Sequence, residues 1–229
     1  VAESFQENLT DGKCVAYLVS KDALQLEKKL QYRNNNKLCR ENVLQKILIA
    51  VEKDIVVSST GKISREIYEI REKNHQSHET DFLTVGSMGH CSSIAYGIAL
   101  NKPNKKVWCI DGDGALLMHM GAAAIIGSAK MSNLVHIIIN NGAHESVGGM
   151  PTVANSVNLS AIAKGCGYQY VAVVDDDETL DIVLQKVTQG QKSSFIEIKT
   201  SVVSRPDLGR PKESPIENKE KFISFLRNT

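Results

Sequence analysis

Apolar positions along most of the chain fall into two alternating patterns. Runs rich in β-branched residues occur at 55–60 (IVVSST), 82–85 (FLTV), 106–112 (KVWCIDG), 134–140 (LVHIIIN), 168–175 (YQYVAVVD) and 194–200 (SFIEIKT). Between them lie stretches of helical spacing near 61–73, 89–101, 115–129, 158–165 and 177–189. The strand runs lack in/out alternation, which means that both faces of each strand are covered. Strands separated by helices then predict an α/β fold: a doubly wound, six-stranded, mainly parallel sheet with helices on both faces.

The ends of the chain depart from this rhythm. Residues 1–20 read as a helix and a strand that lack partners to bury their apolar faces. They are expected to be the end of an upstream domain, and the chain to be the back part of a longer protein. Residues 21–37 are charged and polar, with Asn34, Asn35 and Asn36 in succession, and read as a linker. Leu44, Ile47, Leu48 and Val51 mark an amphipathic helix that opens the main domain, 38–204. Residues 205–229 form a Pro-interrupted tail ending in a short helix.

Composition narrows the possibilities. The 229 residues are 42% hydrophobic and 23% charged, with a net charge of +1. That is ordinary globular composition, and it gives no electrostatic case for nucleic acid or an anionic membrane. No apolar run reaches the ~18 residues of a membrane span, and no secretory leader is read. Five cysteines (Cys14, Cys39, Cys91, Cys109, Cys166) show no CxxC pairing. They fit reduced thiols in a cytoplasmic protein better than a disulfide framework or a zinc site.

Ligands of open parallel sheets bind beyond the carboxyl ends of the strands. Four successive strand ends carry small, polar or glycine residues: SSTGK (58–62), GSMGH (86–90), DGDG (111–114) and NNGAHESVGGMPT (140–152). In the third, Gly112 and Gly114 permit close backbone approach, and the start of the next helix favours a phosphate. Asp113 would repel that phosphate unless a hard divalent cation such as Mg²⁺ lay between them. A right-handed crossover brings the following strand alongside, so that Asn140 and Asn141 end next to Asp113. A nicotinamide dinucleotide is disfavoured: there is no G-x-G-x-x-G, and Asp113 stands where a pyrophosphate would lie. His119 and His136 read as packing residues, and His75 and His78 as solvated ones.

Gly112-Asp113-Gly114, followed 25 residues later by Asn140-Asn141, resembles the thiamine diphosphate signature. With STGK, GSMGH and NNGAHESVGG, the likeness extends over roughly residues 40–210. It points to the diphosphate-binding half of the thiamine diphosphate-dependent 2-oxoacid decarboxylases, and within them to the phosphonopyruvate decarboxylases, with sulfopyruvate decarboxylases as near relatives. The resemblance implies that the side chains of Asp113 and Asn141 and the carbonyl of Ala143 ligate Mg²⁺. It implies that Gly112, Gly114 and Ala115 hold the diphosphate. Many relatives carry a hydroxyl residue in place of Ala115, so one diphosphate hydrogen bond is either missing here or supplied by Thr60 or Lys62, with Gly61 between them at the cofactor. In the GSMG stretch, the Gly86 carbonyl and Met88 N–H would face the aminopyrimidine, with Ser87 beside them, and the Met88 side chain would force the cofactor to bend. Activity would further require a glutamate from a pyrimidine-binding domain of the same or another subunit, making the protein a homo-oligomer.

His90, His144, Glu145 and Ser146 are expected to face the reacting centre, where a histidine can move protons. A 2-oxoacid with a second anionic group needs cations, for which Lys62, Arg205 and Arg210 are the candidates. Three readings compete: decarboxylation of 3-phosphonopyruvate to phosphonoacetaldehyde, the same chemistry on sulfopyruvate or another 2-oxoacid, and a non-catalytic phosphate-binding module.

Overall fold

The computed structural model describes residues 16–20, 23–24 and 32–229. The chain divides into two units, Val1–Leu30 and Gln31–Thr229. Most of the helix and strand expected within residues 1–20 lies outside the described residues, and the described stretch 16–20 has no regular structure. Most of the expected linker is likewise outside them.

The second unit carries the expected sheet. Its strands are β1 (Ile55–Ser58), β2 (Asp81–Leu83), β3 (Val107–Gly112), β4 (Leu134–Asn140), β7 (Tyr170–Val174) and β8 (Ser194–Lys199). They lie in the order β2-β1-β3-β4-β8-β7, and every pairing is parallel. The chain leaves β1 toward β2 and then returns to place β3 on the other side of β1. This reversal puts a crevice at the carboxyl ends of β1 and β3, the favoured ligand position in such sheets.

Alternate residues of each central strand feed two separate cores. Val56, Trp108, Ile110, Ile137 and Ile196 pack with α1 (Arg40–Val51), α2 (Lys62–Lys73) and α7 (Asp177–Gln189). Val57, Cys109, Ile138 and Phe195 pack with α3 (Cys91–Asn101), α5 (Gly121–Ala129), α6 (Leu159–Cys166) and α8 (Pro215–Asn228). Local signals start several of these helices. Asp176 accepts from Thr179 N at the head of α7, and Asn158 accepts from Ala161 N at the head of α6. Ser214 and Glu217 form a capping box on α8. No helix among the described residues is long and apolar enough to cross a membrane.

The fold differs from the sequence pattern in three places. The single helix expected at 115–129 is two, α4 (Asp113–Met118) and α5, broken at His119. His119 is exposed there, and its ring lies 4.2 Å from that of His90. It is therefore not the packing residue expected. A two-residue hairpin, β5 (Ala143–His144) with β6 (Met150–Pro151), folds within the loop after β4. His78 is not simply solvated, for it stacks on Tyr68 at 4.3 Å and bonds Glu72 at 2.8 Å. His136 is buried, as expected, and its Nδ1 lies 2.9 Å from the Tyr168 hydroxyl.

The edge strand β2 is held by charge. Arg71 on α2 donates from Nε and Nη2 to both oxygens of Asp81, at 2.9 and 3.0 Å, with both residues buried. Removing one partner strands a buried charge, which costs about 3–5 kcal/mol. Asp81→Ala should therefore lower unfolding free energy by about that amount in urea titrations. A loss below ~1 kcal/mol would mean that the pair is not structural.

Candidate functional site

A cleft of about 460 Å³ opens at the carboxyl ends of β1, β3 and β4. Of the residues expected from sequence, Thr60, Lys62, Met88, Gly112, Asp113, Gly114, Ala115, Asn141, Ala143, His144, Glu145 and Ser146 line it. Gly61 lies at its edge, with its α-carbon hydrogen facing Ser146. Residues as far apart in sequence as Thr60 and Ser146 thus share one wall, because each follows a strand of the same parallel sheet.

Asp113 begins α4 and is 3% exposed. Burial raises its pKa, while the Thr152 hydroxyl and the N–H groups of Asp113 and Gly114 hold it back. Among the described residues no cationic side chain forms an ion pair with it. A buried carboxylate without a counter-charge is costly, and a cation in the cleft would relieve that cost. Asn141 and the Ala143 backbone line the same cleft and offer neutral oxygens. Hard oxygen donors on one wall suit a divalent cation such as Mg²⁺, which keeps water in its remaining octahedral positions.

The two asparagines have different duties. Asn140 is turned to the sheet: its Nδ2 donates to Glu197 at 2.7 Å, and its Oδ1 accepts from Gly142 N at 3.1 Å. Asn141 Oδ1 accepts from Ala143 N at 3.0 Å and retains a second lone pair. Asn34, placed in the expected linker, donates to the Asn141 carbonyl at 2.7 Å and to the Thr200 carbonyl at 3.1 Å. It therefore clips the ends of β4 and β8 rather than lying in a solvated spacer.

Glycines are required where backbones meet. A Cβ on Gly114 would lie 2.4 Å from the His144 ring, so His144 packs directly on the GDG turn. A Cβ on Gly89 would lie 2.4 Å from His119 and 2.9 Å from the Ala115 carbonyl, at φ +91°. The Gly86–Gly89 loop thus folds down onto the start of α4. Gly86 N donates to Thr60 Oγ1 at 3.2 Å, which joins that loop to the end of β1. Ser87 has φ 43°, an uncommon conformation for a residue with a Cβ. Met88 is half-buried at the cleft, whereas Gly86 and Ser87 are exposed and outside its lining.

Several expectations change. Glu145 does not present a free carboxyl. It pairs with Arg40 and with Lys62 at 2.9 Å, accepts from Ser204, and accepts from Asn141 Nδ2 at 3.1 Å. Burial alone would raise its pKa, but Arg40, with Ser204 and Lys62, pulls it down to about 2. It stays ionised near neutral pH and cannot deliver a proton there. Lys62 is spent on Glu145 and Ser204, both at 2.9 Å. Arg205 is bound to Glu41 at 2.9 Å, to Glu69 and to Asp207, outside the cleft. His90 is exposed, with Nδ1 3.1 Å from the Ser87 carbonyl and its ring on His119. Arg210 lies away from the cleft, in a neighbouring cavity.

Arg40, Ser204 and Thr152 were not foreseen. Arg40 heads α1 and is 3% exposed, with Nε and Nη2 on the two Glu66 oxygens at 2.7 and 2.8 Å. The helical pattern of 38–53 gave the helix but not the burial of its first basic residue. The exposed apolar residues Val85, Met118, Met120, Val147, Met150 and Val153 all lie in the segments that follow β2, β3 and β4.

Comparison with known proteins extends this geometry. The family described as Thiamine pyrophosphate enzyme, C-terminal TPP binding domain, matches residues 59–198. A phosphonopyruvate decarboxylase of Streptomyces viridochromogenes is 34% identical over 184 residues, 80% of this chain and 45% of that one. A phosphonopyruvate decarboxylase of Streptomyces hygroscopicus is 36% identical over 170 residues, 74% of this chain and 41% of that one. The chain therefore spans less than half the length of these two relatives. The sulfopyruvate decarboxylase subunit beta of Methanocaldococcus jannaschii is 34% identical over 174 residues, 69% of this chain and 89% of that one. An X-ray structure of a Mycobacterium smegmatis protein assigned to the thiamin diphosphate-dependent enzymes aligns with a TM-score of 0.58. It covers 71% of this chain and 32% of that one at 21% identity, a likeness of fold.

If Glu145 is a structural anion, Glu145→Ala should destabilise the chain by about 3–5 kcal/mol, because Lys62 loses its counter-charge and the buried Arg40 keeps only Glu66. Urea unfolding measures this. An unchanged midpoint would return Glu145 to the set of free, substrate-facing groups.

Proposed function

The chain belongs to the thiamine pyrophosphate enzyme, C-terminal TPP-binding domain family, and from that premise we propose that it supplies the diphosphate- and Mg²⁺-binding half-site of a 3-phosphonopyruvate decarboxylase. The products would be phosphonoacetaldehyde and CO₂. The observation that carries the reading is Asp113, a buried carboxylate without a counter-ion among the described residues, sharing a cleft with Asn141 and Ala143. The two Streptomyces relatives named for this activity support the substrate.

The residues present fit the cofactor. Asp113, Asn141 and the Ala143 carbonyl would hold Mg²⁺, and Thr60, Gly61, Ala115 and Ser146 would surround the diphosphate. Lys62 would reach it only by sharing its charge with Glu145. When bound, thiamine diphosphate supplies an electron sink for the pair released as CO₂ leaves. Met88, held at the cleft by its loop, would set the shape of the ring-binding space. His144, fixed on Gly114, is the protein group best placed to hold or move a proton there. His90 sits with His119 on the exposed rim.

The activating acid would come from elsewhere. Among the described residues the two carboxylates lining the cleft are Asp113 and Glu145. One would bind metal and the other is tied to Arg40 and Lys62. A pyrimidine-binding domain of the same or another subunit would bring the missing glutamate and cover the exposed apolar residues that follow β2, β3 and β4. Sulfopyruvate is the second reading. It is supported by the Methanocaldococcus beta subunit, 89% of whose length aligns with this chain.

Thiamine diphosphate should bind, by isothermal titration, with Mg²⁺ and not with EDTA. Equal affinity in both would remove the metal bridge. Asp113→Ala should abolish binding. Asp111→Asn should weaken it less, since Asp111 Oδ1 accepts from Gly112 N at 2.9 Å and lies behind the cleft. In the complete enzyme, Met88→Ala should keep cofactor affinity and lose most of kcat, while Met88→Leu retains it. A Met88→Ala enzyme with unchanged kcat would discard the shape argument.

A further inference from the structure

Beside the cofactor cleft lies a second, larger cavity of about 860 Å³. Thr60 lines both, so the two meet at the end of β1. The walls of the larger cavity come from α2, the end of β2 and the tail before α8. Two arginines line it, Arg65 on α2 and Arg210 on the tail. Neither makes an ion pair or a hydrogen bond with any described residue. Arg40, Arg71 and Arg205, by contrast, all hold carboxylates. Thr84 also lines the cavity; it is 6% exposed, and its hydroxyl has no partner. A buried hydroxyl left unpaired is costly and calls for an acceptor. The lining includes one carboxylate, Glu213, which is already paired with Lys221.

The walls are fixed by contacts that do not use these donors. Arg205 binds Glu41 and Glu69, and Gly209 N donates to Glu69 Oε1 at 2.7 Å. Those bonds lay the tail along α2 and bring Arg210 over the cavity. Asn218 on α8 accepts from Leu83 N at 3.1 Å and donates to the Asp81 carbonyl at 2.9 Å. The far side of the tail is thereby clipped to β2.

We propose that this cavity is the subsite for the second anionic group of the substrate, a tetrahedral phosphonate or sulfonate held by Arg65, Arg210 and the Thr84 hydroxyl. The proposal rests on the 2-oxoacid decarboxylase reading. A tetrahedral oxyanion offers three acceptor oxygens, and a guanidinium donates two parallel N–H groups to such a group. Lys62 and Arg205, the other cations expected to serve, are already neutralised by carboxylates. Arg205 is then a positioning residue that acts through the tail.

Methylphosphonate and methanesulfonate serve as probes, titrated into the chain saturated with thiamine diphosphate and Mg²⁺ so that the diphosphate cleft is filled. Binding of either should weaken at least about tenfold in Arg210→Ala, an exposed site where folding is safe, and further in Arg65→Ala/Arg210→Ala. Tighter methylphosphonate assigns a phosphonate, and tighter methanesulfonate a sulfonate. In the complete enzyme, the double variant should lose about 100-fold or more in kcat/KM for the matching oxoacid while pyruvate turnover stays within about twofold. Undiminished probe binding in both variants, or an equal loss on both substrates, would overturn the subsite. If thiamine diphosphate itself fails to bind, the cofactor reading falls. The same probe titrations without it, wild type against double variant, still decide the cavity.

Discussion

Glu145 is the anion around which the cleft is assembled. It lies in the loop after β4, yet it is gripped by Arg40 from the start of α1, Lys62 from the start of α2 and Ser204 from the segment after β8. Arg40 is itself anchored on Glu66. Burying one carboxylate is tolerable only because two cations and a hydroxyl meet it there. The same contacts fix the loop that carries Asn141, Ala143 and His144, so the geometry of the proposed metal donors depends on them.

The contrast between Glu145 and Asp113 organises the site. Both are shielded acids in one cleft, but Glu145 has cations and Asp113 has none. The first is internally neutralised and structural. The second keeps an uncompensated charge, which is what a metal-binding position needs. A corresponding contrast separates the arginines. Arg205 is spent on carboxylates and holds the tail, whereas Arg65 and Arg210 face a cavity without partners.

Much of the fold was legible because its signals are local. The β-branched runs, the helical spacing and the glycines at strand ends recur often enough to specify a doubly wound sheet and its ligand edge. GDG and NN were legible as a pair because a parallel crossover must bring successive strand ends together. What failed to show was the choice between chemically similar neighbours. Nothing in Asn140-Asn141 tells which amide turns to Glu197 and which to the cleft, because strand register decides that. His119 looked like a packing residue inside an apolar helix. Its exposure follows from a break where the Gly86–Gly89 loop, distant in sequence, packs onto the chain.

By itself the sequence determined the six strands, the helices between them and the group of loops that carries the chemistry. Periodicity and turn residues act over a few positions, and they survive being read one segment at a time. Only the tertiary structure decided which charges are free. Lys62, Arg205, Arg210, Glu145 and Asp113 are equally plausible ligand-binding residues on paper. Whether each is paired depends on residues far away in sequence, 83 to 164 positions for the pairs of Lys62, Glu145 and Arg205, and on a burial that sets the cost of leaving it alone.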